Sequence, residues 1–166
     1  VAHVGFAHPI DAQLASALST TARRCDVRVH EGGTYLCMEG PQLSMLAESK
    51  LYRSWGVSVI GMTNFPEARL AREAELPYAT LAMVTDYDCW HATHDAVTVG
   101  AVIAVMQKNV AKAKEIIVAL APAVPDPGNS PATSALAGAI ITHPDSITAE
   151  VRDKLQPLIG KYIPRK

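Results

Sequence analysis

From residue 57 to residue 84 the chain passes through an apolar run, an amphipathic stretch and a second apolar run, and this order limits the fold more than any other feature. Val57-Ser58-Val59-Ile60-Gly61-Met62 has the continuous apolar character of a buried strand. Behind it, Thr63 or Asn64 can cap a helix that has Pro66 in its first turn and runs to Glu75. Tyr78 to Val84 reads as a second apolar strand, and a long helix is predicted from about Val97 to Leu120, with a basic patch at Lys108, Lys112 and Lys114. Strands joined through a helix lie parallel, because a tight turn cannot close a parallel pair. The expected fold class is therefore α/β, on a sheet with parallel neighbours.

The flanking segments extend this pattern. Asp11 to Arg24 carries Leu14, Leu18 and Ala22 at helical spacing behind an Asp able to cap the start. Val27-Arg28-Val29-His30 alternates, Gly32-Gly33 turns, and Thr34 to Met38 is rich in β-formers, which predicts two short strands around a hairpin or loop. Gly40-Pro41 ends the second, and Ser44 to Trp55 reads as a helix with Leu46, Leu51 and Trp55 on its apolar side. Pro122, Pro125, Pro127 and Pro131 mark 122–131 as a linker between a main part, 1–121, and a tail, 132–166, closed by a short helix around Ile147 to Ile159. No segment repeats.

Charge and cysteine usage narrow the function classes. The 15 Lys+Arg and 16 Asp+Glu leave a formal net charge of −1 with no basic block, which argues against nucleic acid or an anionic membrane as main partner. Aromatic residues, at 5%, leave little for base-stacking platforms. At 166 residues and 49% hydrophobic, one domain can bury a real core without disulfides or a structural metal. Cys25, Cys37 and Cys89 lack Cys-x-x-Cys spacing, and their odd number favours a reducing compartment. The longest uncharged apolar run, Ala96 to Met106, is about half of the roughly 20 residues a membrane helix needs, so a cytoplasmic protein is expected. The chain opens at Val1 within an apolar stretch, which suggests a fragment or a processed chain.

Open α/β sheets bind ligands where strands end, which directs attention to Met62-Thr63-Asn64 and to Thr85-Asp86-Tyr87-Asp88-Cys89-Trp90. If strand geometry persists to Asp88, the period of two puts the Asp86 and Asp88 carboxyls on one side of the chain. Three readings stay open. The pair can be a solvated loop in which one Asp caps a helix; it can hold Mg²⁺ with a phosphate ligand; or one protonated carboxyl can donate to a base nitrogen while the other accepts from an exocyclic amine. His91 and His94, three apart, lack a third metal ligand, and His3 and His8 sit in an apolar opening that suits structural histidines. Gly32-Gly33 forms neither a Walker nor a dinucleotide fingerprint, so no nucleoside triphosphate or NAD site is expected.

Four motifs occur in one order: Gly33-Thr34-Tyr35-Leu36-Cys37-Met38-Glu39-Gly40-Pro41-Gln42, then Ala47-Glu48-Ser49, then Gly61-Met62-Thr63-Asn64, then Thr85-Asp86-Tyr87-Asp88-Cys89-Trp90. Together they closely resemble the 5′-methylthioadenosine phosphorylases of the purine nucleoside phosphorylase superfamily. The resemblance runs from Val1 to the long helix and less securely into the tail. It implies a three-layer open mixed sheet of the nucleoside phosphorylase type, and the expectation that an N-terminal part, with much of the phosphate site, is missing from this chain.

The resemblance also implies roles. Asp86 is the protonated partner of purine N7 and Asp88 accepts from the 6-amino group, so the pair reads as base recognition instead of a metal site. Thr63 donates to phosphate, Met62 touches the ribose, and Leu43 and Ser44 line the base side. Val99, Val102 and Ile103, at i, i+3 and i+4, form an apolar wall or, equally, ordinary helix core. His3 matches a position that reaches the 5′-methylthio group from a neighbouring subunit of a homotrimer. Relatives acting on 6-oxopurines tend to carry Asn at the Asp86 position and Glu at the Ser44 position, so this chain looks adenine-directed. Leu43 departs from the usual Phe, which keeps an apolar wall and loses ring stacking.

The implied reaction is phosphorolysis of 5′-methylthioadenosine to adenine and 5-methylthioribose 1-phosphate, with phosphate as co-substrate and with no cofactor or metal. The departing purine carries charge that a proton at N7 relieves, a role open to Asp86 if burial favours its protonated form. A phosphorylase of other base preference and a non-catalytic binding or assembly fragment are the alternatives.

Overall fold

A computed structural model describes residues 1–91 and 99–163. The elements in chain order are helix α1 (Ala12–Arg24), strand β1 (Tyr35–Cys37), helix α2 (Leu46–Ser54), strand β2 (Val59–Gly61), and helices α3 (Asn64–Glu73), α4 (Val99–Leu120), α5 (Ala149–Lys154) and α6 (Gln156–Ile159). Short 3₁₀ turns occupy Ala121–Ala123, Pro127–Asn129, Pro131–Ser134 and Pro144–Ser146. Among the described residues no helix is long and apolar enough to cross a membrane.

β1 and β2 pair in parallel, with Tyr35 opposite Val59, Leu36 opposite Ile60 and Cys37 opposite Gly61. The crossover between them holds α2, the strand–helix–strand order expected of an α/β chain. A Cβ on Gly61 would run into the Tyr35 side chain, so a larger residue there requires the Tyr35 ring to move. The sheet within the described residues is these two strands, smaller than the mixed sheet expected. Val27–His30 and Tyr78–Val84 form no ladder: the Tyr78 carbonyl accepts instead from Asp11 N–H at 2.7 Å, and that of Val84 from Asn109 Nδ2 at 3.1 Å. An apolar run becomes a strand only where another strand offers its edge.

Helix starts follow local chemistry. Asp11 accepts from Leu14 N–H at 2.8 Å, which caps α1 as the sequence predicts. Glu48 reaches back to Met45 N–H at 2.8 Å, so α2 begins two residues after the expected Ser44. The ends of α1, α2 and α3 share a left-handed residue, Asp26 (φ 55), Gly56 (φ 75) and Glu75 (φ 57), and a bond back five residues from Val27, Val57 and Leu76. The helix expected over Ile147–Ile159 is instead two, α5 and α6, with Pro157 in the first turn of the second. Proline has no N–H to continue the ladder and crowds the carbonyl four residues before it.

The described residues form two compact units. One comprises 16–65 and 80–124, and its core is Ala22, Cys25 and Ile116, with Leu18, Val27, Val29 and Leu81 packed against them. Ile116 is 1% exposed, and burying such a side chain contributes about 1.5–3 kcal/mol. Lys112, from the predicted basic patch, donates to the Cys25 carbonyl at 2.8 Å and to Glu115 at 2.9 Å, and the Glu115 bond, ahead of its charge and that of Asp26, holds the Lys112 ammonium above its ordinary pKa. On α2 the expected apolar side is not the buried one. Leu46, Leu51 and Trp55 are 48%, 46% and 63% exposed, while Ser49 is 2% exposed.

The other unit comprises 1–15, 66–79 and 125–166 and buries Ala68, Ala132, Leu136 and Ile163. Its polar hub is Glu75, which accepts from Tyr162 OH at 2.5 Å, Leu136 N–H at 2.9 Å and Lys161 Nζ at 3.2 Å. Burial pushes the Glu75 carboxyl upward, but the Tyr162, Leu136 and Lys161 donors together outweigh it and leave the pKa below its ordinary value. A left-handed glutamate costs backbone energy that glycine would not, and these bonds offset it.

Candidate functional site

Because β1 and β2 are parallel, the loops after both leave the same sheet edge, and Met38 N–H extends the pairing by donating to the Gly61 carbonyl at 2.8 Å. Met62 and Thr63 therefore emerge beside the loop that holds Gly40, Leu43 and Ser44. Gly40 has φ +70, and a Cβ there would lie 2.6 Å from Met62 Sδ, so glycine is what lets this loop close over Met62. Ser44 is half-buried and its hydroxyl donates to Met38 Sδ at 3.6 Å. Leu43, at 79% exposed, stands out from the loop, and Thr63 is exposed immediately before α3.

The Asp-x-Asp segment is a turn, not continued strand. Asp88 is left-handed (φ 62), and its N–H donates to Asp86 Oδ1 at 2.9 Å, while Thr85 Oγ1 donates to Asp86 Oδ2 at 2.7 Å. The extended chain expected to put both carboxyls on one side is thus replaced by an aspartate closed on its own backbone. Asp86 is exposed and Asp88 half-buried, so the burial expected around Asp86 is not seen among the described residues.

Cys89 ties this turn to the first loop, its Sγ donating to the Ser44 carbonyl at 3.5 Å. The Arg53 guanidinium of α2 lies over the Trp90 ring at 3.6 Å, and Tyr87 and His91 stack nearby, with ring centroids 4.9 Å apart. The sequence reading did not single out Arg53; only its place one turn before the Trp55–Gly56 helix end hints that it projects from the last turn of α2. Cys25, Cys37 and Cys89 are all free thiols.

In α4, Val102 is half-buried and Ile103 49% exposed, whereas Val99 is the first residue of the helix and its side chain lies outside the described residues. His94 and the expected helix start at Val97 also lie outside them. His3 belongs to the other unit, where its N–H donates to the Ala139 carbonyl at 2.9 Å. Among the described residues no group of three or more His, Cys, Asp or Glu side chains could hold a metal ion.

Known proteins resemble this chain in sequence and in fold. The family model described as the phosphorylase superfamily matches residues 1–122. The S-methyl-5′-thioadenosine phosphorylase of Geobacter sulfurreducens is 53% identical over 163 residues, 98% of this chain and 57% of that protein. That of Synechocystis is 53% identical over 168 residues, 99% of this chain and 52% of that protein. A crystal structure of methylthioadenosine phosphorylase from an antarctic soil metagenomic library superposes with a TM-score of 0.86 at 40% identity, covering 95% of this chain and 56% of the other. Methylthioadenosine phosphorylase from Schistosoma mansoni, in complex with adenine, gives 0.68 at 29% identity over 75% of this chain and 49% of the other. The chain thus spans about half the length of the curated relatives it matches.

Proposed function

Since this chain belongs to the phosphorylase superfamily, we propose that it serves the phosphorolysis of 5′-methylthioadenosine to adenine and 5-methylthioribose 1-phosphate, a pentosyl transfer that salvages purine and methionine carbon. The observation that carries this reading is 53% identity across 98% of the chain to a phosphorylase of that substrate. A phosphate oxygen attacks the anomeric carbon as its bond to N9 breaks, and the bonding pair passes into the purine. Asp86 acts as the acid toward N7, and the proton released from phosphate restores it over the cycle. Asp88 accepts from the 6-amino group, which only an adenine edge presents as a donor.

Met62 contacts the ribose, Thr63 binds phosphate, Leu43 and Ser44 line the base side, and Val99, Val102 and Ile103 supply an apolar wall. His3 approaches the 5′-methylthio group from a neighbouring protomer, in a homotrimer acting in the cytoplasm. Phosphate is co-substrate, and the reaction uses no cofactor. Neither nucleic acid nor membrane is a partner. The assay that tests this is adenine release from methylthioadenosine by the polypeptide carrying these residues, with and without inorganic phosphate. Phosphate-dependent release is expected; no release, or equal release without phosphate, refutes the proposal.

A further inference from the structure

We infer that Arg53 is a positioning residue for base recognition, acting through Trp90; this rests on reading Asp86 and Asp88 as the base-binding carboxylates. The hydrogen bonds to Asp86 come from Thr85 and Asp88, so they shape the turn from within without fixing it to the rest of the unit. Other contacts do the fixing. Asn109 holds the Val84 carbonyl before the turn, and after it Cys89 bonds the Ser44 carbonyl while Trp90 lies under Arg53.

The last two contacts grip consecutive residues from the two ends of one helix. Ser44 lies just before Met45, the N-cap of α2, and Arg53 is in its last turn. A helix is stiff on this scale, so α2 sets where the pair Cys89–Trp90 sits relative to Leu43 and Ser44. Trp90 is two residues from Asp88, which is hydrogen-bonded to Asp86, so where the indole is held limits where the turn carrying the acids can sit. Tyr87, edge-on to Trp90 with centroids 6.1 Å apart, and His91, 5.0 Å from it, complete the packing around that ring. A planar guanidinium stacks on indole in a way a lysine ammonium does not, so the residue type matters as well as the charge.

An exposed guanidinium–indole contact of this kind is worth a factor of about two to five in an equilibrium. Arg53→Ala is therefore expected to raise KM for methylthioadenosine about two- to fivefold and leave KM for phosphate unchanged, with Arg53→Lys between the two. In a Trp90→Leu background Arg53→Ala adds nothing further. Equal changes in both KM values, no change in either, or multiplicative effects in the double variant would overturn the inference. The two tryptophans of the chain are Trp55 and Trp90, so Trp55→Phe isolates Trp90 emission. Arg53→Ala shifts that emission if the stack exists in solution, and an unchanged spectrum counts against it. Should the unsubstituted protein release no adenine, the proposed function fails instead, and adenine Kd read from Trp90 emission then tests Arg53: an unchanged Kd in Arg53→Ala overturns its role.

Discussion

Asp86 accepts on both carboxyl oxygens from within its own turn, and Asp88 makes that turn possible by adopting a left-handed backbone. Residue identity and order were legible here: two acids after an apolar run, followed by Cys89 and Trp90. The turn was not, because a positive φ at an aspartate is set by what packs around it, and alternation of Asp-x-Asp reads the same in a strand or a bend. Asp86→Asn is expected to lower turnover of methylthioadenosine by about 10²-fold or more, since an amide can donate a hydrogen bond to N7 but cannot transfer a proton to it. It also shifts relative preference toward 6-oxopurine nucleosides. Steady-state kinetics on both substrates check this, and near-normal methylthioadenosine turnover in the variant removes Asp86 from its role. Because the nucleophile is already an anion, no metal is needed to generate it. Activity should therefore persist after dialysis against EDTA, and a loss reversed by adding Mg²⁺ or Zn²⁺ would return Asp86 and Asp88 to the metal reading.

At the scale of elements, helices were read far better than strands. The start of α1 follows from Asp11 and its apolar spacing, both contained within a few residues, and its observed end at Arg24 matches the predicted one. Tyr78–Val84 has strand composition, but its pairing depends on a neighbour that local sequence does not name. α2 failed differently: Leu46, Leu51 and Trp55 follow a helical period, yet the stripe centred on Ser49 is the buried one. Periodicity locates an apolar face without saying what covers it. Ile116 on α4 is the large side chain that joins α4 to the Ala22–Cys25 end of α1. Ile116→Ala should cost about 2–5 kcal/mol, the lost transfer energy plus the cavity left behind. Urea unfolding followed by circular dichroism measures it; a change under about 1 kcal/mol would mean that the helix pair repacks or is not the core.

Across the whole molecule, each unit is assembled from separated stretches, and no local signal in the sequence announces which stretches meet. The Glu75 hub is the clearest case: it gathers Leu136, Lys161 and Tyr162 from more than sixty positions away. Such hubs make stability depend on pH in both units. Asp11 is held below its ordinary 3.8, first by the Leu14 N–H and then by Ser130, while Glu31 is held below 4.5 by Ser19 and then Arg23. Glu75 is also held below 4.5, with burial opposing and the Tyr162, Leu136 and Lys161 donors prevailing. A carboxyl whose folded pKa is depressed stabilises the fold above its unfolded value, and that stabilisation is lost as pH falls through the folded one. Lys161 is shifted upward from 10.5 by Tyr162 and then Glu75, and Lys112 from 10.5 chiefly by Glu115, so their contributions are present below that value and fade as pH rises through the raised pKa. Unfolding free energy should thus be flat from about pH 6 to 9 and decline below pH 4.5, the ordinary value for Glu31 and Glu75. Glu75→Gln should lower stability at pH 7 by about 1.5–3 kcal/mol, the range for hydrogen bonds to a charged group, and make the acid decline shallower. Urea midpoints at pH 7, 4.5 and 3 for both proteins decide it, and parallel declines would show that Glu75 does not couple folding to acid.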